Sequence, residues 1–92
     1  MRQETKQDIA SRLKSIEGHV RGVGRMVDEN AYCIDIIKQT TAIQRALEKV
    51  NGIILDEHLK TCVTTAMRSD EQGERERVLA ELVDVFQAGS KI

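Results

Sequence analysis

Three residues of this chain have side chains that bind soft or borderline metal ions: Cys33, His58 and Cys62. His58 and Cys62 are four positions apart, so on a helix they share one face, about one turn from each other. Cys33 precedes His58 by 25 positions, which on a single helix is about 37 Å at ~1.5 Å per residue. If one helix joins them, the third ligand must come from another subunit.

The elements that position these residues are predicted to be helices. The chain has no proline, and its first apolar stripe repeats at spacings of three and four, which predicts a helix from about residue 4 to 28. That stripe consists of Ile9, Leu13, Ile16, Val20, Val23 and Val27. Gly18, Gly22 and Gly24 weaken this helix by roughly 1 kcal/mol each against alanine. We expect them to permit close backbone packing or the approach of a partner.

A second, long helix is predicted to carry the metal ligands. Asn30 is a suitable N-cap for a helix that begins at Ala31 and continues through Ala66, some 36 residues or roughly 54 Å. Its apolar positions are Ile36, Ile43, Leu47, Val50 and Ile54. Cys33 then lies in the first turn, where unpaired amides and the helix dipole favour thiolate over thiol.

A third, shorter helix is predicted after a polar break. Ser69 and Gln72 have the spacing of a capping box, an apolar stripe runs from Val78 to Phe86, and Gly89 is expected to end the helix. We therefore expect one all-α domain over residues 1–92: three helices, with a long central one. Its core must be aliphatic and thin, because Tyr32 and Phe86 are the only aromatic residues.

Composition narrows the location of the protein and its mode of association. No stretch of about 18 apolar residues and no secretory pattern is present, so we expect a cytoplasmic protein without a membrane contact. Two cysteines in a reducing compartment favour metal binding or redox chemistry over a structural disulfide, with inert buried cysteines as the alternative. Helices of such unequal length cannot bury one another, so the long helix needs a second chain.

An antiparallel pairing of two long helices would assemble the ligands. If Cys33 lies beside the point between His58 and Cys62 of a second chain, the two-fold axis falls near Ala46 and Leu47, in the middle of the apolar stripe. Two equivalent sites per dimer would result. Two thiolates and one imidazole suit trigonal Cu(I), and would hold Zn(II) if a further ligand completes four.

The distribution of charge gives only weak support for nucleic-acid binding. The net charge is −1, with nine basic and seven acidic residues in positions 1–49. A near-neutral chain does not coat nucleic acid by charge alone. On pattern alone, the basic residues of the first helix are more often a solvated helix face.

Three segments resemble one family of proteins. Residues 12–26 (RLKSIEGHVRGVGRM), 31–35 (AYCID) and 57–62 (EHLKTC) look like the copper-sensitive operon repressor family of bacterial DNA-binding metal sensors. The resemblance runs from about Arg12 to Phe86. It implies a three-helix protomer, an antiparallel dimer and a dimer of dimers, without a helix-turn-helix.

The resemblance also implies a function. The homotetramer would bind operator DNA and silence a copper-export operon. It would release the DNA when Cu(I) binds Cys33 of one protomer with His58 and Cys62 of the other. By likeness to the family, Tyr32 and Glu81 lie near His58 and accept or orient its second ring N–H. Residues resembling the family's DNA contacts are Arg12 and Lys49, and weaker candidates are Lys14, Arg21, Arg25 and Arg45.

Within the family, a few residues select the copper branch. The nickel or cobalt branch uses a histidine near the amino terminus and another in place of Cys62, and the formaldehyde branch uses an amino-terminal proline. The persulfide branch keeps both cysteines but lacks His58, so a thiol or persulfide sensor using Cys33 and Cys62 is the alternative. A plain helical oligomer with inert cysteines is a third class. No catalytic constellation is visible, so we do not expect an enzyme.

Overall fold

The computed structural model describes residues 1–68 and 72–90, without the side chains of residues 62, 63, 72, 89 and 90. Helix α1 spans Gln3–Asp28, α2 spans Cys33–His58, a π-helical turn spans Leu59–Val63, α3 spans Thr64–Met67, and α4 spans Gln72–Ser90. The described residues contain no strand. The all-α prediction with a long central helix is confirmed.

The chain divides into two compact units, Met1–Glu57 and His58–Ile92. The first holds α1 and nearly all of α2, and the second holds the π-helical turn with α3 and α4. The single domain over residues 1–92 stays a prediction. No helix among the described residues is long and apolar enough to cross a membrane.

In the first unit, α1 and α2 form an antiparallel helix pair. His19 bonds to Gln39 near the turn, and Arg2 bonds to Glu57 at the far end, which fixes one register along the whole pair. The buried core of this unit is small and aliphatic, with Ile9, Ile43 and Val50 each at most 8% exposed. The expected thin core is confirmed.

The apolar stripe of α1 is divided between two surroundings. Ile9 is buried and Ile16 and Val23 are half-buried, whereas every second member of the stripe is exposed. The exposed members are Leu13 at 44%, Val20 at 51% and Val27 at 56%. A single neighbouring helix covers only one side of a wide stripe, so α2 leaves this apolar surface of α1 uncovered.

The turn between α1 and α2 corrects the predicted role of Asn30. Asn30 has φ 57°, and the backbone N–H groups of Asn30 and Ala31 donate to the carbonyls of Val27 and Met26. This pattern is a Schellman motif, which ends a helix with a left-handed residue. Asn30 therefore terminates α1, and the N-cap prediction for α2 is wrong, because the first carbonyl that accepts N–H groups of α2 is that of Tyr32.

The long second helix begins later than predicted and is not α-helical throughout. It starts at Cys33 rather than Ala31, and α-helical geometry stops at His58. In the following π-helical turn the Thr64 hydroxyl donates to the Leu59 carbonyl at 2.6 Å. A threonine hydroxyl that takes a nearby carbonyl competes with the helical ladder, which gives a local reason for the interruption.

The second unit packs α4 on α3. Ala66 and Val78 are buried at 4% and 2%, and Leu82 packs against them. The third predicted helix is confirmed, and its capping residue Ser69 lies outside the described residues. The prediction that Gly89 ends the helix is wrong, because α4 continues to Ser90 and no described glycine has positive φ.

The glycines of α1 do not serve close packing within the chain. A Cβ added at Gly18 or Gly22 would meet only the guanidinium ends of Arg21 and Arg25, at 3.8 and 3.7 Å, and one at Gly24 would meet nothing within 4 Å. The close-packing expectation is therefore wrong inside the described chain. The approach of a partner to these positions stays a prediction.

Candidate functional site

Cys33 opens α2 and faces solvent. The carbonyl of Tyr32 accepts the backbone N–H groups of Asp35 at 3.0 Å and Ile36 at 3.2 Å, so Tyr32 is the N-cap residue of α2. Cys33 follows as the first helical residue, is exposed and forms no disulfide. The predicted position of Cys33 in the first turn of α2 is confirmed.

His58 closes α2 at the opposite end. It is half-buried, and the π-helical turn that follows contains Cys62 in its backbone. The Cys62 side chain lies outside the described part of the structure. π-helical turns occur often at functional positions because they break the regular helical spacing locally. His58 thus comes directly before the π-helical turn, and Cys62 lies within it.

One chain by itself does not gather a metal site among its described side chains. No group of three His, Cys, Asp or Glu residues in that part of the chain could hold a metal ion. Cys33 and His58 are the first and last residues of α2, so they are about 37 Å apart along the helix axis. The sulfur and imidazole donors suit a soft ion, but the arrangement fits one only if two chains share it.

The two residues expected beside His58 have other surroundings in this chain. Tyr32 is 70% exposed. The Glu81 carboxylate accepts a hydrogen bond from Arg77 at 2.6 Å, and Arg77 also pairs with Glu74, whose pKa this hydrogen bond lowers. Glu81 therefore has an ionic partner on α4. Its contact with His58, and that of Tyr32, stay predictions.

Glu57, the residue before His58, was not predicted from the sequence. It is the buried polar residue of the described chain, at 3% exposure. Its carboxylate accepts the Arg2 backbone N–H at 2.7 Å, the Arg2 Nη2 at 2.8 Å and the Thr5 hydroxyl at 3.1 Å. We call this set of contacts the Arg2–Glu57 clamp. It ties the start of α1 to the last turn of α2.

A sequence signal for Glu57 existed. Ile43 and Val50, both buried, are seven residues apart, and Glu57 lies seven residues further on. Positions seven apart lie on nearly the same side of a helix. An acid that continues a buried apolar stripe needs a cationic or hydrogen-bonding partner, and Arg2 is that partner in the antiparallel register.

The basic residues proposed for DNA contact lie on α1 and α2. Arg12 and Arg21 are engaged, with Asp8 at 3.0 Å and Glu17 at 2.6 Å. The other candidates are exposed, namely Lys14, Arg25, Arg45 and Lys49. Exposed ion pairs contribute little stability, about 0–1 kcal/mol, so the engaged arginines can exchange partners at small cost.

A shallow groove adjoins Arg12. It has a volume of about 290 Å³ and is lined by Ser11, Arg12, Ser15, Ile16, His19 and Ala46. His19, which the sequence left without a role, shares a 2.7 Å hydrogen bond with Gln39 across the helix pair. Ser11, Ser15 and His19 recur every four residues on α1. That spacing places them on one face of the helix and is the sequence signal for this groove, which was not predicted.

Comparison with known proteins identifies relatives of this chain. A family model described as metal-sensitive transcriptional repressor matches residues 5–88. The chain is 42% identical over 86 residues to the copper-sensing transcriptional repressor CsoR of Bacillus subtilis, covering 94% of this chain and 82% of that protein. It is 39% identical over 79 residues to CsoR of Mycobacterium tuberculosis, covering 86% of this chain and 64% of that protein.

Solved structures agree with these sequence matches. The copper-sensing repressor CsoR with Cu(I) from Geobacillus thermodenitrificans superposes with a TM-score of 0.88 at 45% identity, covering 99% of this chain and 92% of that one. The nickel-responsive transcriptional regulator InrS gives 0.71 at 40% identity, covering 89% of each chain. The match of a family model to residues 5–88 and the shared fold lead to one conclusion: this chain belongs to the metal-sensitive transcriptional repressor family.

Proposed function

We propose that this protein is a cytoplasmic Cu(I)-responsive transcriptional repressor. It binds operator DNA when metal-free and releases the DNA on binding Cu(I), which derepresses copper-efflux genes. The observation that carries the proposal is the layout of α2, which has Cys33 as its first residue and His58 as its last. Two copies side by side and antiparallel would bring a thiol of one to the imidazole of the other. The matched CsoR proteins support the choice of copper.

The proposed site takes Cys33 from one protomer and His58 and Cys62 from its partner. Bound Cu(I) would be held by these three side chains and would supply a link between the two protomers. Zn(II) could occupy the same ligands if a fourth were added. Association is supported by the uncovered apolar residues of the helix pair, Leu13, Val20, Val27, Leu47 and Ile54. A dimer, and a dimer of dimers, would remove such surface from water.

The DNA-binding surface is proposed to be formed by the basic residues of α1 and α2. One chain is close to neutral, but four copies of Arg12, Lys49 and their basic neighbours on one tetramer would neutralise several phosphates. Metal binding then acts by changing how these residues are positioned against the phosphates. Linkage requires that DNA weakens copper binding by the same factor by which copper weakens DNA binding.

The donor atoms, rather than the fold, select copper. A nickel-responsive regulator shares the fold at 40% identity, so the helices alone do not identify the metal. Two thiolates and one imidazole are a soft set, and Ni(II) favours more nitrogen and oxygen donors. Cys33, His58 and Cys62 therefore support Cu(I) over Ni(II).

A thiol or persulfide sensor is the second candidate function. It is favoured by the exposure of Cys33 at the start of α2, because an accessible thiol can react with oxidised sulfur species. Such a sensor would use Cys33 and Cys62 across the dimer and would not need His58. His58→Ala therefore separates the two: it abolishes release by Cu(I) and preserves release by a persulfide donor.

The decisive experiment is subunit complementation. We would prepare Cys33→Ala and His58→Ala proteins, then mix them, unfold them and refold them together under reducing, oxygen-free conditions. In a mixed antiparallel dimer, one site loses both altered ligands and the other keeps all three. Each parent variant alone should lose tight Cu(I) binding, and the mixture should regain it at up to half the wild-type stoichiometry in mixed dimers.

Fluorescence anisotropy of labelled upstream DNA is measured on the same samples. The metal-free proteins should all bind DNA in a salt-dependent manner, and Cu(I) should release it from the wild type and from the mixture. Full Cu(I) binding by either variant alone, or a mixture no better than its components, contradicts the shared site. Wild-type protein that stays on DNA in the presence of Cu(I) contradicts the proposed function itself.

A further inference from the structure

The Arg2–Glu57 clamp joins the start of α1 to the last turn of α2. Its residues are 55 positions apart. The Arg2 guanidinium contacts both carboxylate oxygens, with Nε at 3.0 Å and Nη2 at 2.8 Å from Oε2 and Nε at 3.2 Å from Oε1. The Glu57 side chain is 4% exposed. Bidentate arginine contacts fix geometry as well as charge, so the clamp holds a defined orientation.

The clamp also replaces a helix cap. Arg2 is the N-cap residue of α1, and no side chain of its own makes a cap hydrogen bond. The Glu57 carboxylate accepts the Arg2 backbone N–H instead, and an anion at a helix start is stabilised by the helix dipole. The first turn of the helix that bears Arg12, Lys14, Arg21 and Arg25 is therefore held by a residue of α2.

Glu57 is covalently adjacent to His58, the last residue of α2. Successive residues on a helix point about 100° apart, so one side chain can contact α1 while the next is directed elsewhere. Any rotation or shift of the last turn of α2 that brings His58 to a metal also moves the Glu57 carboxylate. Because the contact is bidentate and the Glu57 carboxylate is buried, α1 must follow or the clamp must open.

We propose that Arg2 and Glu57 are positioning residues that couple metal binding at His58 to DNA binding by α1. The proposal rests on the proposed copper-responsive function and names the route within one chain. In the metal-free protein the closed clamp holds α1 in the orientation that binds DNA. Metal binding moves the turn that holds Glu57, and the start of α1 moves with it.

The test uses Arg2→Met, Glu57→Gln and the double variant, with Lys6→Met as the matched control. Lys6 is exposed on the same end of α1, so its substitution removes the same charge without touching Glu57. Arg2→Lys is a milder variant, which keeps a cation beside Glu57 but cannot make two parallel bonds. Circular dichroism verifies that each variant is folded.

Three quantities are measured on each full-length protein. They are the Cu(I) affinity by competition with a coloured Cu(I) chelator, the DNA affinity with and without Cu(I), and the hydrogen exchange of backbone amides in residues 6–9. The coupling factor is the ratio of the two DNA dissociation constants. Typical coupling factors are roughly 5- to 150-fold, so the loss of the clamp should be visible.

We expect Arg2→Met to lower the coupling factor at least about fivefold while leaving Cu(I) affinity close to that of the wild type. Amides 6–9 should exchange faster than in Lys6→Met, and Cu(I) should change their exchange in the wild type but not in Arg2→Met. Because the two residues act as one unit, Arg2→Met in the Glu57→Gln background should add no further loss.

The opposing outcomes are distinct. If Arg2→Met has the same coupling factor as Lys6→Met, the clamp proposal is overturned and the proposed function is not affected. Fully additive losses in the double variant would overturn the clamp proposal in the same way. Wild-type protein with a coupling factor of one overturns both. If Arg2→Met is unfolded, the same comparison is made with Arg2→Lys, for which a smaller loss in the same direction is expected.

Discussion

The two ends of α2 differ in how the protein holds them. At the first end, Cys33 is exposed and follows a turn of backbone hydrogen bonds. At the other end, Glu57 is buried in the Arg2–Glu57 clamp, and His58 leads into the π-helical turn. The candidate ligand Cys33 therefore lies on an exposed surface, whereas the candidate ligand His58 follows a residue that contacts α1.

This difference suggests that the two proposed ligands have different roles. A thiol on an exposed helix start can be delivered to a second chain with little rearrangement of its own chain. A histidine next to the buried Glu57 carboxylate cannot move without disturbing the Arg2–Glu57 clamp. If the metal binds as proposed, Cys33 would contribute a ligand from an exposed surface, and binding at His58 would act on the rest of the chain through Glu57.

The largest effect on stability is expected from removing the Arg2–Glu57 clamp. The hydrogen bonds from Arg2 lower the pKa of Glu57 from 4.5 to about 2. Because the folded-state pKa lies below the ordinary value, the clamp contributes stability above pH 4.5 that is lost as the pH falls towards 2. Glu57→Gln should lower the urea unfolding midpoint at neutral pH and flatten its dependence on pH in that window.

Glu17→Gln is the matched control for this prediction. Glu17 pairs with Arg21 at 2.6 Å on the exposed surface of α1, with both side chains more than half exposed at 70% and 63%. Its loss should change stability by at most about 0.5 kcal/mol. Equal effects of Glu57→Gln and Glu17→Gln would mean that the clamp is no stronger than a surface ion pair.

A smaller effect is expected at the turn before the exposed end. Asn30 has φ 57°, a conformation that costs most side chains roughly 1–2 kcal/mol. Asn30→Val should therefore destabilise the protein by about that amount, and Asn30→Gly should be neutral or slightly stabilising. Thermal unfolding of the metal-free protein checks this, and a neutral Asn30→Val would show that the turn has another conformation in solution.

The smallest effect concerns two exposed lysines of α2. Lys49 lies in the half near Glu57 and Lys38 in the half near Cys33. If only the former contacts phosphates, Lys49→Gln should reduce the salt dependence of DNA binding by about 0.9 per contact, whereas Lys38→Gln should leave it unchanged. Titrations of DNA affinity against salt compare the two, and equal slopes would remove Lys49 from the DNA surface.

Much of the fold was predictable because periodicity is a local property. Helix α1 was predicted from the spacing of its apolar stripe and is confirmed. The first-turn position of Cys33 is also confirmed, although it was predicted from an N-cap at Asn30 that the structure corrects. Asn30 was misjudged because asparagine is common both at helix starts and in left-handed helix ends. Only the hydrogen bonds around it decide between those roles.

The metal ligands stay a prediction, and the contacts beside them could not be predicted from the sequence. Cys33 and His58 are candidates because of their donor chemistry and register. The π-helical turn depends on hydroxyl-to-carbonyl bonds such as Thr64 to Leu59, which apolar spacing does not reveal. The Arg2–Glu57 clamp depends on a register between residues 55 positions apart, which requires the helix pair to be known first.

The distant cap of α1 has a consequence for how a newly made chain folds. The first turn of α1 leaves the ribosome long before Glu57 has been translated, so it remains frayed until the far end of α2 returns to it. Contacts between such distant residues form late, because closing a long loop costs entropy. We therefore expect the amino-terminal turn to become protected from proteolysis only when α2 is present to its end.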